Sequence, residues 1–244
     1  FKSLFVNGRR AVRASLPKQG FYWMEDVPGT ASRADAIPRF IAAEGDMREF
    51  HNITDAEIHA YHYWVDEHMP IESYNPKTRM VVSTHVPIFG LLDDSSGKFA
   101  KYRVENIIEA LTESGEWYLD RTEGKLYYLP YGNEELVNTT FEAPVTEFLL
   151  KIEGDYQNNR TVNNLTFKGL QFRTAEWNIW QGTDGRFTFE PGVLYASCPQ
   201  GCSNQPGAIN LVGVKNITIE DCTIEHVGYY AINVWYGCSN INIV

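Results

Sequence analysis

Acid–base chemistry needs carboxyl or imidazole groups held close together, and the sequence offers one compact set: Asp221, Glu225 and His226. Tyr229 and Tyr230 follow directly, and Glu176, Trp177 and Trp180 open a ring-rich stretch upstream. Aromatic faces offer apolar area with little entropy to lose, and nearby polar groups orient hydroxyls, so this group suits a sugar-like ligand. Two plainer readings stand beside it. Glu225 and His226 fit an exposed turn, and residues 174–206 fit a loop packed outside a regular scaffold.

The elements that must position these residues carry an internal repeat. Thr161 to Phe172 overlays on Gly213 to Ile224 at an offset of about 52 residues, and Cys238 to Ile243 overlays on Val214 to Ile219 at about 24. Leu165, Ile217 and Ile241 coincide, as do Phe167, Ile219 and Ile243. Thr166, Thr218 and Asn242 alternate with them, as the two faces of a strand require. The expected fold is therefore mainly β: a right-handed parallel β-helix over residues 151–244, incomplete at its C-terminal end, because Val244 interrupts an apolar alternation. Asn164, Asn216 and Asn240 share one position of the repeat and predict a buried, hydrogen-bonded ladder. Residues 174–206 are too long for a plain repeat, and they hold Glu176, Trp177, Trp180, Asp184, Phe187, Phe189, Glu190 and Tyr195.

Residues 1–150 read as an irregular, β-rich α+β module. Leu4 to Val6 is a strand entering the Asn7-Gly8 turn, Arg79 to Ser83 is a short strand, and Glu116 to Leu119 with Lys125 to Leu129 is a hairpin. Tyr102 to Leu111 puts Val104, Ile107, Ile108 and Leu111 on one helical face. Thr54 to Glu57 could cap a helix through Trp64, yet Ile58 to Val65 is rich in Tyr, Trp and Val, as strands are; the pattern leaves both open. His51, His59, His62 and His68 crowd this stretch, but no ligand-spacing motif is present and tyrosine neighbours suggest packing. The expectation is no metal and no cofactor.

The formal net charge is −10, without a block of like charges, so neither nucleic acid nor membrane is an expected partner. No run of eighteen uncharged apolar residues suggests a span. Oligomeric state is not readable. Asn-x-Thr triplets at Asn52, Asn138 and Asn159 predict glycans and hence a secreted, extracellular chain; those at Asn164 and Asn216 belong to the ladder. Cys198 and Cys202 bracket a turn-rich loop in which a local disulfide competes with a remote zinc alternative.

Several strings resemble secreted β-helix proteins that include glycoside hydrolase family 141: Leu4 to Arg10 with Arg13 and Pro17, Trp64 with Pro70-Ile71, Val104-Glu105-Asn106, Gly115 to Asp120, Leu126 to Pro130, and Asn216 to His226. The resemblance covers most of the chain, and Gly-Glu-Trp-Tyr-Leu-Asp is its most specific element. It implies that residues 1–150 are a module inserted among early coils of the helix. It also implies hydrolysis of glycosidic bonds in a complex glycan or polysaccharide, with fucosides and xylans as known substrate types. Cys198 and Cys202 depart from the pattern, and the full catalytic set is not recognisable. Glycosidases use two carboxyl groups about 5–5.5 Å or 6.5–9.5 Å apart. Asp221 and Glu225 on one extended strand would be roughly 13 Å apart, so a working pair is expected from adjacent coils, one of them past Val244. A non-catalytic carbohydrate-binding or structural protein is the alternative. A lyase is the third class; it needs a calcium site or a basic cleft, and neither is evident.

Overall fold

The computed structural model describes residues 1–93, 97–179, 190–198, 201 and 205–244. Trp180, Asp184, Phe187, Phe189 and Cys202, singled out above, lie outside them. The chain forms two compact units: Phe1–Arg10, Thr140–Trp180 and Asn204–Val244 make one, Ala11–Thr139 and Gln181–Ser203 the other.

The second unit is built on antiparallel hairpins. Glu57–His62 buries Ile58 and Ala60 on one face and turns His59 and Tyr61 to the other. The chain reverses at Tyr63-Trp64, with Tyr63 at φ 47°, and returns as the eleven-residue strand Val65–Asn75. Met80–Ser83, Arg39–Ala42, Tyr22–Asp26 and Lys101–Glu105 continue the sheet, and Ser15–Leu16 adds an edge. Lys101–Glu105 also pairs with Glu57–His62, which closes six strands into an antiparallel barrel. Phe40, Ile58, Met69, Ile71, Val81, Tyr102 and Val104 fill its interior.

This corrects the fold class expected from the sequence. The chain is not a parallel β-helix carrying a module; it is mainly β, with a closed six-stranded antiparallel barrel plus smaller sheets. The repeat dominated the reading because it is the strongest periodic signal, yet the larger sheet has no repeat and closes through non-local pairing. Two local expectations are settled with it. Thr54 to Trp64 is a 3-10 turn, Ile53–Asp55, followed by a strand. Tyr102 to Leu111 is not a helix: Tyr102 and Val104 alternate inward along a strand, Asn106 at φ 57° breaks it, and Ile108–Ala110 is a 3-10 turn. The hairpin Glu116–Asp120 with Lys125–Tyr128 and the strands at Phe5–Val6 and Met80–Ser83 form as the turn signals require.

In the first unit the repeat copies pair in parallel. Val162–Lys168, Val214–Glu220 and Ser239–Ile243 align Leu165 with Ile217 and Ile241. Leu150–Glu153, Gly207–Val212 and Tyr230–Val234 make a second three-stranded sheet, and Gln171–Arg173 with Thr223–Glu225 a third of two strands. Ile152, Ile209, Leu211, Val214, Ile217 and Ile219 form the unit's own core. Asn216 Nδ2 donates to Asn164 Oδ1 at 2.9 Å, and Asn240 Nδ2 to Asn216 Oδ1 at 2.7 Å. All three have left-handed backbones, φ 54–61°. The ladder therefore exists, but on the surface: each of its members is exposed rather than buried.

Candidate functional site

Within the first unit, the turn after Thr223–Glu225 brings Tyr229 and Tyr230 to one pocket with Trp177, Glu176, Glu147, Asn178 and Gln205. The approach is close. A side chain at Gly228 would place its Cβ 2.5 Å from Trp177 Cβ, so only glycine lets the turn lie against the tryptophan. The Tyr229 and Tyr230 rings stand edge-to-face at 4.8 Å and remain about 38% and 37% exposed. Lys2 Nζ covers the Trp177 ring at 4.3 Å from its centroid. The enclosed space is about 10 Å³, room for one water, so a sugar would rest on the tyrosine surface rather than inside.

Glu176 turns out to be a backbone anchor. Its Oε2 accepts from the Lys2 amide at 2.8 Å and its Oε1 from the Trp177 amide at 3.0 Å. Asn178 donates to Glu147 at 2.7 Å.

Glu225 and His226 adjoin this pocket through the backbone: the Ala175 amide donates to the His226 carbonyl at 3.1 Å and the Thr174 amide to that of Glu225 at 3.3 Å. Glu225 Oε1 lies 2.9 Å from Arg173 Nε, its neighbour in the parallel ladder. The same guanidinium reaches Glu142 at 3.5 Å, a carboxylate the sequence reading did not single out. His226, at φ 56°, stacks on Phe5 at 4.2 Å and keeps a buried Nδ1 without a hydrogen bond. Asp221 sits apart in an exposed turn, 3.6 Å from Lys168. Trp177, Tyr229 and Tyr230 thus share one pocket, Glu225 and His226 adjoin it through their backbone carbonyls, and Asp221 does not join them. Cys198 is disulfide-bonded, while Cys222 and Cys238 are free.

The barrel unit gathers a second group that sequence reasoning set aside. His59 and His68 are directly opposed across the hairpin, and their rings stack at 4.1 Å. Asp66 Oδ2 lies 3.0 Å from His59 Nε2 and 3.8 Å from His68 Nε2. Burial works to lower the His59 pKa, but hydrogen bonds to Asp66 and Glu105 outweigh it and push it up to about 9. The same hydrogen bonds from His59 and His68 hold Asp66 well below the usual carboxylate range. His62 belongs elsewhere, buried on Glu67 at 3.1 Å, and His51 lies by Asp120 at 3.4 Å. The missed signal was the hairpin register: 59 and 68 become partners only once the reversal at Tyr63-Trp64 is known.

No family model and no curated protein matches the chain. Among solved structures it is similar to one described as a glycoside hydrolase, with a TM-score of 0.63 and 18% identity. The match covers 93% of this chain but only 43% of the other, so the chain spans less than half of that protein's length. At that identity the likeness is one of fold. It supports a glycoside-hydrolase type of fold and leaves family 141 without a match of its own.

Proposed function

We propose that this chain is part of an extracellular, carbohydrate-active protein of glycoside-hydrolase type, which holds a neutral or mildly charged glycan against Tyr229, Tyr230 and Trp177. The observation that carries the reading is the convergence of these rings with Glu147 and Gln205 on one pocket, beside Glu225 and His226. In this reading Glu225 acts on the bound sugar and Glu142, across Arg173, is the second carboxyl group. Asn52, Asn138 and Asn159 carry glycans in the native protein; Asn138 and Asn159 are exposed.

A second reading, glycan binding without hydrolysis, is favoured by one observation: Glu225 and Asp221 are each engaged by a cation, Arg173 and Lys168, rather than by one another. Calorimetric titration of xylo- and fuco-oligosaccharides tests both. Tyr229→Ala should weaken binding by roughly three- to tenfold with the melting curve unchanged; unchanged affinity removes the platform. Release of reducing ends by the wild type, abolished in Glu225→Gln while binding persists, supports hydrolysis. Binding with no release leaves the second reading.

A further inference from the structure

The outward face of the barrel hairpin carries chemistry that the glycan reading does not use. We propose that His59, Asp66 and His68 form a binding site for one divalent transition-metal ion of the zinc class.

The backbone fixes the three side chains together. His59 and His68 are paired residues of neighbouring strands, and Asp66 stands two residues before His68 on the same face. Their ligand atoms all lie within 4.8 Å of one another. The two distances to Asp66 Oδ2, 3.0 and 3.8 Å, bracket the edge of roughly 3.3 Å that a tetrahedral zinc with ~2.0–2.1 Å bonds requires. The third edge, between the two imidazoles, is within 4.8 Å, so an ion would have to draw the rings together.

The surrounding groups orient the rings as metal-binding histidines are oriented. Glu57 Oε1 holds His68 Nδ1 at 2.9 Å. Glu105 Oε1 and the Tyr61 hydroxyl lie 3.3 and 2.8 Å from His59 Nδ1. Both imidazoles therefore present Nε2 to Asp66, with a carboxylate behind each ring. Arg13 reaches both carboxylates, at 2.7 Å from Glu57 and 3.5 Å from Glu105.

Charge points the same way. Three carboxylates, Asp66, Glu57 and Glu105, face the one guanidinium of Arg13, a surplus of two negative charges before the imidazoles are counted. A dication balances them. Two imidazoles with one carboxylate suit zinc, cobalt or nickel better than the oxygen-seeking calcium or magnesium. Asp66 and Tyr61 also line an open pocket of about 480 Å³, so the carboxylate end of the cluster borders open space.

The test is zinc chloride titrated into the metal-stripped chain by calorimetry, with cobalt(II) absorption as a spectroscopic check. One equivalent should bind with proton release, and cobalt should show the visible bands of a low-coordinate site. His59→Ala, His68→Ala and Asp66→Ala should each lose at least about tenfold in affinity, and His51→Ala should lose nothing. The Asp66 side chain is 57% exposed, so its removal should leave circular dichroism intact and lower the melting temperature only modestly, through the lost pairing with His59 and His68, even if a histidine variant misfolds. The proposal is overturned if the wild type takes up no stoichiometric zinc, or if folded Asp66→Ala binds it as the wild type does.

Discussion

Ile219 and Thr218 are neighbours in the chain with opposite environments. Ile219 is 2% exposed within the parallel unit's core, while Thr218 is half-buried on the other face. Ile219→Asp would put an unpaired carboxylate among Ile217, Phe167 and Leu211, at a cost of about 4 kcal/mol or more. Thr218→Asp should cost under about 1 kcal/mol. Thermal or urea melts of the two variants check the register, and equal losses would refute it. Asn216 offers a finer probe, because it both donates and accepts in the ladder at φ 55°. Asn216→Ala loses two hydrogen bonds and strains the backbone, for about 2 kcal/mol. Asn216→Gly keeps the left-handed turn and loses only the bonds. If the two variants melt alike, the backbone strain contributes nothing; if Gly equals wild type, the ladder contributes nothing.

At the scale of elements, Asn106 ties the barrel strand Lys101–Glu105 to the hairpin beyond it. It is fully buried; its Nδ2 donates to the Asp55 and Leu119 carbonyls at 3.0 Å each, and its Oδ1 accepts from the Leu119 amide at 2.9 Å. Asn106→Ala would take a partner from three backbone groups, the Asp55 carbonyl and the amide and carbonyl of half-buried Leu119, and place alanine at φ 57°, so a loss of about 3 kcal/mol is expected by chemical denaturation. A loss below about 1 kcal/mol would mean that water replaces the side chain without penalty. Glu116 to Tyr128 was legible as a hairpin because both strands and the turn between them are local in sequence, and the repeat register was legible because its period is carried by paired apolar residues. The barrel was not, since its closure joins Lys101–Glu105 to Glu57–His62 across some forty residues. Tyr102 to Leu111 misled for the same reason: its 3.6-residue spacing of apolar residues was overridden by pairing on both sides of the strand. The histidine pair was hidden by a reversal at Tyr63-Trp64, a dipeptide with none of the usual turn chemistry.

Across the whole molecule, 31 acidic against 21 basic side chains set the background field in which any ligand arrives. The candidate glycan pocket shares that sign: Glu147 and Glu176 line it, and Lys2 covers the tryptophan rather than presenting a cationic floor. A polyuronate approaching this surface would meet repulsion at long range and no basic cleft at short range. A neutral oligosaccharide meets neither, and its affinity rests on contact with Tyr229 and Tyr230 and on hydrogen bonds that salt does not screen. The expected outcome is that affinity for a neutral xylo- or fuco-oligosaccharide stays constant within about twofold between about 0.05 and 0.5 M sodium chloride, while uronate polymers bind weakly at every ionic strength. Calorimetry or fluorescence titration across that range measures it directly. Tight uronate binding that collapses as salt rises would mean that attraction of an anionic chain, not ring stacking, drives recognition, and the tyrosine platform would then be the wrong site.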